Sequence, residues 1–312
     1  MTRRDLALHL AVIAVLAVLG QVLPAYHHTN TARIMLLAVY AMGYNIAFGY
    51  TGLLSLGHAL FFGAGMYATG LLMELGGWPA GLALPMGLLA GGAMAVAVGL
   101  LALRTAGVSF MIVTLMFAQA GYLLVMYFTA YTRGEEGFNL ARAARAIGPL
   151  DLSSDGTRYA VALILFSVAL LGQLALVRSR LGRVMVAMRE NEERSRMLGY
   201  DPFRVKLIAL GLSGLYSGAA GAAYGVMFGY VGASFVATQF SILPLLWVLL
   251  GGAGTTLGPL LGAVLMFYLI DIASGYTTAH LAVIGVALLV LVLFAPRGLL
   301  GVVRERLARW LP

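Results

Sequence analysis

The sequence predicts an all-α protein, a polytopic membrane bundle of eight to ten transmembrane helices. Three observations lead there. Hydrophobic residues make up 61% of the chain and charged residues only 10%, with mean hydropathy +0.93; an ordinary soluble domain carries about a quarter charged residues. A chain this apolar has too little polar surface to face water, so lipid must be its solvent. Its apolar runs are continuous, where barrel strands would alternate in polarity, so helices are the spanning element. Glycine, at 40 residues, is abundant in the way of helices that pack closely in a bilayer.

A span needs about 20 apolar residues. The candidates, in order, are 6–23, 33–49, 58–75, 80–103, 107–130, 158–177, 207–228, 237–252, 257–272 and 281–296, several of them short or broken by glycine. The first begins after Met1-Thr2-Arg3-Arg4, as a signal peptide would. Pro24, Tyr26 and His27 do not resemble a small-residue cleavage site, so a retained helix is expected. The whole chain, 1–312, reads as one transmembrane domain without a soluble domain at either end. Basic residues orient it. With the N-terminus inside, Arg3, Arg4, Arg104, the eight from Arg178 to Lys206, and Arg297, Arg304, Arg306 and Arg309 all lie inside, fifteen of the 20. Ten spans would put both termini in the cytoplasm. The segment 131–157 becomes a periplasmic loop of mixed sign that could order partly or cap the outer mouth. The net charge of +8 is thus first a topology signal, and no nucleic-acid role is expected.

The inner segment 178–206 is the one long charged stretch between spans. Val184, Met185, Met188, Met197 and Leu198 can form apolar ridges on short helices, with Arg183, Arg189, Glu190, Glu192, Glu193 and Arg196 around them. A break is expected near Gly199 and Pro202. A solvated loop held by i,i+4 ion pairs would also suit the charges. Methionines favour an adaptable docking surface instead.

Phe48-Gly49-Tyr50-Thr51-Gly52 interrupts an apolar run, and such backbone is tolerated at membrane depth where it lines a cavity or is covered by protein. Phe228-Gly229-Tyr230-Val231-Gly232 echoes it 180 residues later, an echo that chance explains in so Gly-rich a chain. Thr114 and Gln119 lie roughly 140° apart on one helix, so they need not face one lumen; interhelical hydrogen bonding or substrate contact suits them. His58, beside Ser55, Phe61 and Phe62, has no carboxylate near in sequence, which favours packing over ion binding. Glu74 and Asp271 lie near span ends, and no span has an acid at its middle, unlike most ion-driven transporters. There is no P-loop and no H-E-x-x-H pair. The absence of cysteine excludes disulfides, thiolate catalysis and cysteine-ligated zinc. Energy is therefore expected from a separate ATPase.

Four segments carry a family resemblance. Ser179-Arg-Leu-Gly-Arg183, Ala187-Met-Arg-Glu-Asn-Glu192 and Leu198-Gly199 resemble the cytoplasmic "EAA" loop of branched-chain amino acid ABC permeases of the LivM type. Glu193 keeps the loop's spacing to Gly199, although Arg194-Ser195 stands where a pair of alanines is usual. Asn45 to His58, with Phe61, Phe62 and Gly63, resembles the family's Gly-rich second-helix region. Arg104 to Gln119 resembles its R-x-x-G-x-x-F-x-x-x-T-L-x-F helix. Gly251-Gly252-Ala-Gly254-Thr-Thr-Leu-Gly258-Pro259, with Gly262, resembles its GG-x-G-x-x-x-GP signature. The four run in order from 45 to 262.

The resemblance implies a BtuC-like importer permease in a bacterial inner membrane. It implies Arg183, Arg189, Glu190, Glu193 and Gly199 as the contact with ATPase subunits, and Gly251, Gly252, Gly254, Gly258 and Pro259 as a structural signature. Gly49, Thr51, Gly52, Ser55, His58, Phe61, Phe110, Thr114 and Gln119 become candidates for the translocation path. The expected partners are a homologous second permease, two ATP-binding subunits, a periplasmic binding protein and the lipid bilayer. No catalytic residue, metal or cofactor is expected on this chain; ATP and Mg²⁺ belong to the ATPase partners. A permease for urea, amides, aromatic acids or sugars is the alternative within the class. An ion-coupled secondary transporter and an intramembrane enzyme are the rivals outside it.

Overall fold

The computed structural model describes residues 3–148, 150–276 and 298–306, with 279, 282, 285, 286 and 289 between. Among them, seven helices are long and apolar enough to cross a membrane. In this list they are α1 (Arg3–Val22), α2 (Ala25–Asn45, continued by a π turn Ile46–Tyr50), α4 (Ala80–Ala102), α5 (Gly107–Tyr127), α7 (Asp155–Arg178), α10 (Pro202–Phe228) and α12 (Gly258–Tyr276). Two shorter bundle helices, α3 (His58–Glu74, 17 residues) and α11 (Thr238–Gly251, 14 residues), complete the described core. Short helices fill the connections: α6 (Thr129–Thr132), α8 (Arg180–Glu190), α9 (Glu192–Met197) and α13 (Gly298–Arg306). Nine expected spans coincide with these helices. The tenth, 281–296, falls almost entirely outside the described residues.

The boundaries follow local chemistry. Ser179 caps α8, accepting from the Gly182 amide, and Asn191 caps α9, accepting from Arg194. Gly199, at φ +88°, and Asp201 with Pro202 at the first turn make the expected break before α10. Helix α2 starts eight residues earlier than expected, because Tyr26, His27 and Thr31 find partners at the helix end. The Tyr26 hydroxyl donates to Asp271, 2.7 Å away, and His27 lies 3.2 Å from the Tyr268 hydroxyl.

The centre of the bundle is α2, almost wholly buried from Ile34 to Tyr50, with α7, α10, α11 and α12 around it. Helices α3, α4 and α10 pack backbone to backbone. Gly65, Gly87, Gly91, Gly214, Gly218 and Gly221 meet in the seam, where most added β-carbons would strike a facing main chain. The expectation that most glycines serve packing is met there.

Side-chain ties sort the helix ends into two sets. At one end Asp5 pairs with Arg178 at 2.5 Å, His9 meets Thr256 at 2.7 Å, and Asn45 reaches Thr255. At the other, Tyr26 meets Asp271, Arg133 lies 3.8 Å from Glu74, and a ribbon of β1 (Phe138–Asn139) with β4 (Tyr230–Val231) closes the surface. The loop 131–157 is thus partly ordered; it also holds β2 (Ala146–Ile147) paired with β3 (Leu150–Asp151). Successive long helices alternate between the two ends, as the span order requires. The two Phe-Gly-Tyr segments differ locally: one is the π turn, the other a left-handed Gly229 cap leading into β4.

Candidate functional site

The interrupted segment is the centre of the site. After the π turn, Gly52 takes φ +77°, and the chain runs back into the bundle as non-helical backbone to His58. Helix α3 therefore begins deep inside: His58 Nε2 lies 2.7 Å from the hydroxyl of Ser213, near the middle of α10. Unpaired amides in such a place are costly, and hydroxyls meet several of them. Thr114 accepts from the Leu56 amide at 3.1 Å, Ser55 from Gly57 at 3.1 Å, and Ser241 from Ala59 at 2.8 Å.

The sequence-derived path residues thus divide. Ser55, His58, Phe61 and Thr114 form a buried interior group, in which the His58 ring sits 5.2 Å from Phe61 and 4.5 Å from Tyr44. Thr51, Gly52 and Phe110 instead line a cavity of about 520 Å³ at the α8 end, with Met188, Arg189, Glu192 and Lys206 opposite. Gln119 stands apart, exposed, accepting from Thr238 at 3.2 Å. Thr114 and Gln119, for which the helical spacing did not require one shared face, have different surroundings, one buried and one exposed.

Helix α8 lies across the π turn. Its Gly182, Met185 and Met188 are buried, and the two methionines join a cluster with Ile46, Tyr50, Val205 and Ala209. Both therefore belong to the core, whereas the sequence offered them with Met197 as apolar ridges suited to a docking surface. Arg189 donates to the Gly49 carbonyl, and its aliphatic stem rests on Gly52, whose added β-carbon would come 3.2 Å from the Arg189 Cγ. Gly49 in turn leaves room for Asn45. The Asn45 side chain accepts from the Gly254 amide at 2.9 Å and donates to the Thr255 carbonyl at 2.8 Å. Arg304 of α13 donates to the Gly254 carbonyl at 3.4 Å. The glycine signature is tight for the same reason: Gly252 and Gly254 have positive φ, and Gly251 abuts Gly258, which precedes Pro259.

Beyond this seat the surface changes. Arg183, Arg189, Glu190, Glu193 and Gly199 are exposed, and so are Met197 (86%), Leu198 (71%) and Tyr200. Arg194, Arg196 and Arg204, close in sequence, are exposed as well. Glu192 pairs with Lys206 at 2.5 Å and ties the start of α9 to α10.

Several partners were not legible in the sequence. Asn45 appeared only inside a motif, and nothing local marks its bond to a loop 209 residues away. Asp5, buried against Arg178, and His9, held between the Asp5 carbonyl and Thr256, secure α1 to the end of α7 and to the loop before α12. A carbonyl only accepts, so His9 Nδ1 carries the proton and Nε2 accepts from Thr256. Among the described residues no group of three His, Cys, Asp or Glu side chains is placed to hold a metal.

Known proteins match this chain over most of its length. The profile of the branched-chain amino acid transport system / permease component family covers residues 29–295. The chain is 29% identical over 296 residues to the high-affinity branched-chain amino acid transport system permease protein LivM of Salmonella typhimurium, covering 88% of this chain and 69% of that protein. Identity and coverage are the same for LivM of Escherichia coli. No solved structure matches. With a polytopic helical bundle and a family match over more than four-fifths of its residues, the chain belongs to the branched-chain amino acid transport system permease component family.

Proposed function

We propose that the chain is a permease subunit of an ABC importer that carries branched-chain amino acids, or close relatives, into the cytoplasm. The α8–α9 end faces the cytoplasm, as the basic residues indicate. There the exposed surface around Met197, Leu198 and Glu193 docks an ATP-binding subunit, and hydrolysis of ATP on that partner supplies the energy. A homologous permease pairs with this chain, a periplasmic binding protein delivers the solute, and Arg183, Glu190 and Gly199 border the docked partner. The observation that carries this reading is the direct link from α8 to the interrupted segment. A push on α8 reaches Gly49 and Gly52 through one side chain, Arg189. Packed elements with two discrete arrangements transmit such shifts.

The test uses vesicles containing the whole transporter. Met197→Asp with Leu198→Asp is expected to cut co-purification of the ATP-binding subunit by about tenfold or more, since central apolar anchors dominate interfaces. Arg189→Ala should keep the subunit bound, keep membrane levels normal, and lower ATP-driven uptake. Normal association and uptake in both variants would overturn the assignment.

A further inference from the structure

At the β-ribbon end, four arginines gather where α2, α7 and α10 meet the turn Arg142–Arg145. The Arg33 guanidinium carbon stands 4.7 Å from the centre of the Phe228 ring, and that of Arg158 stands 5.4 Å from the same ring. Arg145 crowds Gly229, where an added β-carbon would strike its guanidinium. The acids nearby are fewer. Asp155 takes Arg158 at 3.1 Å, and Asp151 lies 3.7 Å from Arg142. Among the described residues, neither Arg33 nor Arg145 makes an ion pair within 4 Å, Asp151 acting on Arg145 only from farther away, and the Nε atoms of Arg33, Arg145 and Arg158 are buried without a hydrogen bond.

Guanidinium groups withdrawn from water need compensation, and a ring face gives only part of it. Burial, and then the neighbouring Arg158, hold the Arg145 pKa below the ordinary arginine value. The missing partner is thus an anion, and the planar fork of arginine fits a carboxylate best. Beside the cluster, Phe228 and Tyr224 stand 4.7 Å apart and Tyr224 and Phe235 5.1 Å apart, all half-buried. Such a surface suits an aliphatic side chain. The partial burial of the cluster also argues for a small ligand. Arg158 is only 14% exposed, whereas Arg142, the projecting member at 73%, has its own aspartate.

We propose that Arg33 and Arg145, with Arg158 over the Phe228 ring, form a binding site for the carboxylate of the amino acid as it enters from the outer face. This rests on the transport reading above. The test is binding of L-leucine to the purified full chain in nanodiscs, with L-leucinamide as the competitor that lacks a carboxylate. Leucine should bind and be displaced by unlabelled leucine but not by leucinamide. Arg33→Gln and Arg145→Gln should each weaken binding by about tenfold or more, with Arg33→Lys between. Thermal unfolding of each variant shows that it is folded. Absent leucine binding by the wild type, or unchanged binding by folded Gln variants, overturns the proposal. So does a defect confined to the amount of binding protein needed for uptake, which would make that protein's acidic surface the partner. A dependence only on anionic lipid in the nanodisc likewise overturns it. Failure of ATP-driven leucine uptake by wild-type vesicles would count against the transport reading instead.

Discussion

Asn45 shows how one side chain can hold a loop it does not belong to. Its amide supplies both the acceptor for Gly254 and the donor for Thr255, inside a fully buried environment. Removing it strands two backbone groups, each at about 1–3 kcal/mol. Asn45→Ala is therefore expected to lower the unfolding midpoint of the purified chain clearly. Asn45→Asp should not rescue it, because a carboxylate accepts from Gly254 but cannot donate to Thr255. Differential scanning of the three proteins checks this. Residues of this kind are the least legible in sequence. Gly52 announced itself by breaking an apolar run, a local signal. Asn45 and Ser241 did not, since each gains meaning only from a chain segment some two hundred residues distant.

The helices were far more legible than their contacts, because hydropathy and capping are local. The breaks at Gly199, Pro202 and Gly52 fall where turn chemistry places them. The division of labour within 178–206 was not visible: Met185 and Met188 face the bundle while Met197 faces out, and only the docking of α8 across the π turn decides this. The glycine seam gives a sharp contrast. At Gly218 a β-carbon would meet the main chain of α4, 2.8 Å from the Gly91 Cα, while at Gly92 its close contacts are with the Leu215 side chain, which can turn aside, the Leu215 main chain lying at an ordinary 3.7 Å. Gly218→Val should destabilise the bundle by more than the roughly 1–3 kcal/mol typical of overpacking, and Gly92→Val by less. Amounts of folded protein recovered from membranes, with unfolding midpoints, measure the difference.

At the scale of the whole molecule, the two sets of ties at opposite ends make sidedness a single question. Met197 is exposed at one end and Leu150 at the other, and the native chain has no cysteine to confuse the result. Met197→Cys should label only from the cytoplasm and Leu150→Cys only from the periplasm; labelling of both from one face would remove the orientation derived from the arginines. Ser195, inside the same charged segment, would be a poor probe, because it is only 2% exposed. Helix α3 has a further consequence, in time. At 17 residues it is shorter than any of the seven membrane-crossing helices, and its first turn borrows hydroxyls from Ser213 and Ser241. The ribosome makes Ser241 182 residues after Ala59. At about 5–20 residues per second, the nascent chain must keep that turn sheltered for roughly 10–40 s before its last partner exists. Assembly of the interrupted segment therefore finishes late, after seven of the nine described bundle helices have been translated.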